Sequence, residues 1–213
     1  MRLVFGHGIN DLDEPTEFYT GGRKRRCPFY RTWKDMLQRA YSKKWKEKNP
    51  TYEGVSVTPE WWSRRAFTEW MRRQEWEGRQ LDKDILWPGN KIYGPDTCLF
   101  VPREINVLLI NAAAIRGKYP EGVTYVKKDK KLKSQIKIDS KRIFLGYFTD
   151  VNEAEAVYLR AKIAEIHRKA DMYPGPISTG LHRHIAIKEQ RLKELEAILC
   201  QTPTSSLTSK PTT

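Results

Sequence analysis

The stretch from residue 81 to residue 109 constrains the fold more strongly than any other part of the chain. Residues 81–85, with Leu81 and Ile85 on either side of three charged residues, are interpreted as a strand, and a turn-rich loop follows. The apolar run at residues 97–101 predicts a second strand, and a helical spacing of apolar residues begins after Pro102. We therefore expect a compact unit in which a strand, a loop, a second strand and a helix follow one another (a ββα unit).

Two helical segments precede this unit. Apolar residues recur at three- and four-residue steps over residues 29–41, which is the period of an amphipathic helix. Thr58, Pro59 and Glu60 form a helix-start signal, because threonine can cap a helix, proline suits its first position and glutamate complements its dipole. We expect a second helix to begin there.

Three strand-like segments follow the ββα unit, at residues 122–128, 133–139 and 141–148. A long helical pattern then runs over residues 152–172, and a Pro-Gly-Pro sequence at residues 174–176 ends it. This order predicts a three-stranded antiparallel sheet packed on a helix, followed by a separate C-terminal helix.

The predicted fold class is α+β, with five segments along the chain. They are a basic flexible arm at residues 1–26, a helical and ββα domain at 27–115, a sheet-plus-helix domain at 116–173, a C-terminal helix at 174–200 and a tail at 201–213. The tail is rich in serine, threonine and proline and lacks aromatic residues, a composition typical of disordered chain.

The charge of the chain limits its partners. Its 39 Lys and Arg against 26 Asp and Glu give a formal net charge of +13, and such a surface attracts polyanions. Nucleic acid is favoured over an anionic membrane, because no apolar run approaches the ~18 residues of a spanning helix. The N-terminus lacks the apolar core of a signal peptide, and the three cysteines are widely separated. We expect a cytoplasmic protein with no membrane partner and an unknown oligomeric state.

Four polar residues stand in a characteristic order within the ββα unit. Asp82 and Lys83 lie in the first predicted strand, Asn90 lies in the loop and Asn106 lies on the helix. This order resembles the HNH (ββα-metal) nuclease family, and residues 30–109 are similar to HNH-like proteins of bacteriophages. The resemblance implies a catalytic site in which Asp82 and Asn106 hold Mg²⁺ against a phosphate, while a base at the end of the strand activates water.

Lys83 departs from the family, which has a histidine base at this position. A lysine with an ordinary pKa near ~10.4 is protonated at neutral pH and cannot accept a proton. Burial can lower the pKa of a lysine, but the carboxylates of Asp82 and Asp84 favour the charged form. Three alternatives are open: a degenerate HNH-like scaffold that only binds nucleic acid and needs no cofactor, a Mg²⁺-dependent endonuclease, and a structural unit with an Asp82–Lys83 ion pair at its surface.

A second resemblance lies in residues 122–161. Gly122 and Val123 open the first strand, the sequence FLGYF occupies residues 144–148, and NEAEAVY occupies residues 152–158. These motifs resemble the ethylene-response-factor type of DNA-binding domain, in which a three-stranded sheet lies in the major groove with a helix packed behind it. Arginines that the family uses are missing here, since Thr124 replaces one, and the resemblance therefore implies weak sequence preference.

Alternation in the second strand supports this arrangement independently of the family. Ile136 and Ile138 point to one face, whereas Lys133, Gln135 and Lys137 point to the other. Cations position phosphates, and an amide can contact a base edge.

We therefore predict that the protein binds nucleic acid, either DNA or RNA. Two alternatives are open: the protein binds single-stranded RNA, or the lysine-rich sheet has only a structural role. The predicted contact residues are Arg23, Lys24, Arg25 and Arg26 in the arm and Lys127, Lys128, Lys133, Gln135, Lys137 and Arg142 in the sheet domain.

Overall fold

The computed structural model describes residues 3–110 and 117–201. The chain divides into two compact units: the first contains residues 1–114 and 169–184, and the second contains residues 115–168 and 185–213. Helices and small, mostly antiparallel sheets are mixed along the chain, which confirms the α+β class.

The first unit begins with a β-hairpin. Strands β1 (Glu17–Thr20) and β2 (Arg23–Arg26) pair antiparallel across Gly21 and Gly22. The two glycines have φ angles of +57° and +71°, and a two-residue hairpin turn of this hand requires positive φ at both positions. The hairpin differs from the irregular flexible arm predicted for residues 1–26, because the Gly-Gly turn brings the flanking residues into register.

Helix α1 (Pro28–Tyr41) occupies the first predicted helical segment, and the short helix α2 (Lys43–Lys48) follows it. The helix predicted to start at Thr58 begins later. Pro59–Trp62 form a 3-10 turn, and α3 (Arg64–Arg72) starts after it. The cap of α3 is Ser63, whose hydroxyl accepts a hydrogen bond from the backbone N–H of Ala66 at 3.0 Å.

The order of strand, loop, strand and helix is present between residues 79 and 109. Strand β4 (Arg79–Asp82) pairs antiparallel with β6 (Leu99–Pro102), and α4 (Arg103–Leu109) follows. In the loop, β5 (Ile92–Tyr93) pairs in parallel with the short strand β3 (Ser56–Val57).

Aromatic packing forms the core of the first unit. The side chains of Trp33 and Trp61 are fully buried, and the Trp61 ring lies 4.5 Å from that of Trp70 and 5.0 Å from that of Phe67. The indole N–H of Trp33 donates to the backbone carbonyl of Trp61 at 2.9 Å. Aromatic side chains bury large areas, so these tryptophans stabilise the unit rather than contact a ligand.

The second unit contains the predicted three-stranded antiparallel sheet. Its strands are β7 (Val123–Val126), β8 (Lys131–Ile138) and β9 (Lys141–Phe148), with β8 in the centre. Helix α5 (Val151–Met172) and helix α6 (Pro176–Gln201) follow, and each contributes residues to both units.

The packing of α5 on the sheet confirms the predicted layer order of the second unit. Ile136 of the sheet packs with Tyr158 and Leu159 of α5 and with Leu195 of α6 in one apolar cluster. Helix α6 begins at Pro176, inside the segment predicted for the C-terminal helix, and proline suits the first position of a helix. The tail predicted from residue 201 onwards lies almost wholly outside the described residues.

None of the helices within residues 3–110 and 117–201 combines the length and the apolar composition that crossing a bilayer requires.

Candidate nucleic-acid interface

The three-stranded sheet has one buried face and one exposed face. On the buried face, Ile136 is 4% exposed, and the hydroxyl of Ser134 donates to the backbone carbonyl of Ala154 in α5 at 3.1 Å. Side chains alternate along a strand, so Lys133, Gln135 and Lys137 point away from the helix. The face predicted from alternation is therefore the one that the fold leaves open.

The strand register decides which residues share that face, because directly paired residues of antiparallel strands point to the same side. Lys133 pairs with Tyr147, and Lys137 pairs with Arg142. The exposed face, called here the outer sheet face, carries the following side chains: Thr124, Val126, Lys131, Lys133, Gln135, Lys137, Arg142, Phe144 and Tyr147.

A β-bulge in β9 completes this face. Gln135 pairs with Phe144 and Ser134 pairs with Gly146, which leaves Leu145 as an extra residue between them. Without the bulge, residues 144 and 147 would point to opposite faces, because their separation is odd. With the bulge, the two rings lie on the same face with their centroids 5.0 Å apart.

Gly146 permits the bulge. Its φ is +144°, and a Cβ at this position would lie 2.9 Å from the nearest atom of the Phe148 ring. Both the conformation and the close contact favour glycine. The rings that result from this geometry are accessible: the Phe144 side chain is 56% exposed and that of Tyr147 is 48% exposed. Exposed aromatic rings offer flat surfaces on which bases can stack.

Positive charge is unbalanced on the outer sheet face. No ion pair between described residues involves Lys133, Lys137 or Arg142. The acids of the same unit are used elsewhere, for example in the pairs Arg160–Glu196 at 2.7 Å and Arg191–Glu155 at 2.9 Å. Among the described residues, most cations on the helices of the second unit are paired with acids, whereas those on its sheet are not.

Lys127 and Lys128 lie in the turn between β7 and β8, and both are exposed. Lys127 also borders a shallow depression beside Lys118, Tyr119 and Thr124. Thr124 belongs to the outer sheet face, whereas Tyr125, which also lines the depression, pairs with Leu132 of the buried face.

The predicted cations of the N-terminal segment lie on the hairpin of the first unit. Lys24 forms an ion pair with Glu17 at 2.5 Å, whereas no ion pair of the described residues involves Arg23, Arg25 or Arg26. Successive residues of a strand point to opposite sides, so these four cations are divided between the two faces of the hairpin.

The ββα loop brings together three of the four predicted catalytic residues, but in structural roles. Lys83 is 7% exposed, and its ammonium donates to Oδ1 of Asp84 at 2.6 Å and to the backbone carbonyl of Asn90 at 2.8 Å. The Asn90 amide donates to the carbonyls of Lys83 at 2.8 Å and Ile92 at 2.7 Å. The predicted surface ion pair between Asp82 and Lys83 is wrong, because Lys83 is buried and its carboxylate partner is Asp84.

Asp82 is occupied in the same loop. Its Oδ1 accepts hydrogen bonds from the backbone N–H groups of Asp84 and Ile85, each at 2.7 Å, and burial raises the pKa of the Asp82 carboxyl. Asn106 is bonded to another residue, since its side-chain N–H donates to Oε1 of Gln80 at 2.7 Å.

These contacts use Oδ1 of Asp82 and the side-chain N–H of Asn106, and the Mg²⁺ ion that the HNH resemblance implies stays a prediction. Within the described ranges, no group of three or more His, Cys, Asp or Glu side chains could hold a metal ion. A cation near Asp82 and Asp84 would also face the ammonium of Lys83, which already neutralises Asp84.

Comparisons of the chain with protein-family models, with curated proteins and with solved structures give no match. Alternation along β8 identified Lys133, Gln135 and Lys137 from the sequence. It missed Lys131, which points to the same side of β8 but lies before the predicted start of that strand. Tyr147 on β9 was also missed, because a bulge leaves no signal in a simple alternation of side chains.

Proposed function

We propose that the protein binds nucleic acid through the outer sheet face. The observation that carries this proposal is the combination, on one exposed face, of unpaired cations with the exposed rings of Phe144 and Tyr147. Lys133, Lys137 and Arg142 would contact phosphates, and such contacts supply most of the affinity without reading sequence. The amide of Gln135, between them on β8, could contact a base edge.

Single-stranded DNA or RNA is the form of nucleic acid that the aromatic rings favour. Bases of a duplex are stacked on one another, whereas those of a single strand can stack on a protein ring, and such stacking contributes about 1–3 kcal/mol per base. If the sheet instead bound a duplex, as in the ethylene-response-factor type of domain, the affinity would depend more on the cations than on the aromatic rings. Replacing Phe144 and Tyr147 by alanine should therefore weaken binding to single strands more than binding to duplexes.

A charge-reversal experiment tests the proposal. Lys133→Glu with Lys137→Glu should reduce affinity for a labelled oligonucleotide roughly tenfold or more, equivalent to about 1.4 kcal/mol. The matched control is Lys43→Glu with Lys44→Glu, which changes the net charge equally on exposed positions of α2. Fluorescence anisotropy with single- and double-stranded DNA and RNA measures the affinities. Equal losses in both double variants would show that net charge, not the sheet face, determines binding.

Endonuclease activity is the alternative that the HNH resemblance raises, and no contact in the ββα loop favours it. Supercoiled plasmid incubated with the wild type, with and without Mg²⁺, tests it directly. Nicking that disappears in Asp82→Asn, which keeps an oxygen acceptor for the two backbone N–H groups, would overturn a binding-only function. Nicking that appears only in Lys83→His would instead identify the wild-type scaffold as catalytically silent.

A further inference from the structure

A cleft of about 480 Å³ in the first unit is lined by five arginines. Its arginines come from the end of β2, from α1, from β4 and from the start of α4. The arginines are Arg26, Arg31, Arg39, Arg79 and Arg103. The volume lies within the roughly 300–1,000 Å³ of sites that hold small molecules, so it suits one nucleotide rather than a long strand.

The charge of this arginine cleft is only partly balanced. Asp35 is the single carboxylate among the described lining residues, and its nearest oxygen lies 3.8 Å from Nε of Arg31. Arg79 is paired with Glu75 at 2.5 Å. For Arg26 and Arg103, both exposed, no ion pair occurs among the described residues. The cleft therefore carries a surplus of positive charge in a concave site.

Guanidinium groups are suited to one class of ligand in particular. Their planar forks bind phosphate oxygens with two parallel hydrogen bonds, and they keep their charge at any physiological pH. Trp76 adds an apolar surface to the wall, and the hydrogen-bonded pair Gln80–Asn106 adds neutral polar atoms. A ligand with phosphate at one end and a base or sugar at the other would match both parts.

We propose that the arginine cleft binds the terminal phosphate of a nucleotide, carried either by a free nucleoside triphosphate or by the 5′ end of a strand. A terminal phosphate monoester carries about −1.5 to −2 charges at pH 7, whereas an internal diester carries one, so clustered arginines favour the terminal group. This proposal is independent of the outer sheet face, whose residues belong to the second unit.

Two probes distinguish the sources of phosphate. Fluorescently labelled adenosine triphosphate reports binding of a free nucleotide, and a labelled 12-residue oligonucleotide with or without a 5′-phosphate reports binding of a strand end. Arg26→Glu with Arg103→Glu should lower affinity for the triphosphate, or remove the preference for the phosphorylated end, by roughly tenfold. Arg26→Lys with Arg103→Lys keeps the charge and should lose less, because the ammonium lacks the planar fork.

Controls separate the cleft from the sheet and from net charge. Lys133→Glu with Lys137→Glu should leave triphosphate binding unchanged, and so should Lys43→Glu with Lys44→Glu. Wild-type protein that binds no triphosphate and does not distinguish the two oligonucleotide ends would overturn the proposal, as would equal losses in all three Glu variants. If only Lys133→Glu with Lys137→Glu weakens binding of the unphosphorylated oligonucleotide, that result supports the function proposed for the outer sheet face and does not bear on the arginine cleft.

Discussion

Salt dependence gives the sharpest test of the outer sheet face, because the number of unpaired cations sets its magnitude. The triple variant Lys133→Gln, Lys137→Gln and Arg142→Gln removes three charges that have no acidic partner among the described residues of the second unit. All three side chains point to the outer face, where substitutions usually change the free energy of unfolding by less than about 0.5 kcal/mol. The fold should therefore survive.

The expected change follows from counterion release. For duplex DNA, the slope of log K against log salt concentration is about −0.9 per neutralised phosphate, and for single strands about −0.7. Removing three phosphate contacts should make the slope shallower by about 2.7 units on duplex DNA and about 2.1 units on single strands. Between 50 and 200 mM salt, the wild type should thus lose about 40-fold more duplex affinity than the variant does.

Anisotropy titrations at four or five salt concentrations measure both slopes. The control variant Arg160→Gln, Arg191→Gln and Lys193→Gln removes the same charge from exposed helix positions, where two of the cations are already paired with acids. Its slope should stay close to that of the wild type. A sheet variant with an unchanged slope, or a control with the same reduction, would refute the assignment of phosphate contacts to this face.

Three further predictions concern residues that each stabilise the unit to which they belong. Gly146→Ala should lower the free energy of unfolding by about 1–3 kcal/mol in urea titrations, because it strains the bulge, and it should also weaken oligonucleotide binding by moving the Phe144 ring. Lys83→Met should cost about 1–3 kcal/mol, measured in the same way, because the carbonyl of Asn90 loses its buried donor; an unchanged stability would contradict the structural role of the ammonium. Burial acts to raise the pKa of Glu121, but nearby Lys162 and the Tyr158 hydroxyl lower it by more, so the pKa in the folded protein lies below the ordinary value. The ionised Glu121 carboxylate therefore stabilises the fold at neutral pH, and this stabilisation is lost on acidification. Glu121→Gln should therefore be less stable than the wild type at pH 7, with the difference shrinking as the pH falls through the lowered pKa of Glu121. A difference that stays constant with pH would refute this.

Local periodicity accounts for most of what could be predicted. The steps of three and four residues in α1 and the alternation in β8 reflect the side-chain geometry of a single helix or strand. The α+β class, the sheet-plus-helix order and the lysine-bearing face follow from such patterns. The two adjacent glycines are also a local signal for a hairpin turn, but the run of cations after them favours the prediction of a flexible arm.

The choice of the carboxylate that pairs with Lys83 depends on how the loop of the ββα unit is folded and buried, which the neighbouring residues in the sequence do not specify. Asp82 and Asp84 flank Lys83 equally in the sequence, yet only Asp84 accepts a hydrogen bond from its ammonium. Asp82 instead accepts two backbone N–H groups of the loop. Motif order therefore indicated which residues lie together but not which hydrogen bonds they make.

The amino-acid sequence by itself determined α1, α5, the three strands of the second unit and the polarity of β8, since each depends on residues a few positions apart. Only the tertiary structure decided the rest: the bulge that turns Phe144 and Tyr147 to one face, and the cleft that gathers arginines from β2, α1, β4 and α4. The physical reason is that register, bulges and clefts arise from pairing between segments distant along the chain, where many partners are compatible with the same local pattern.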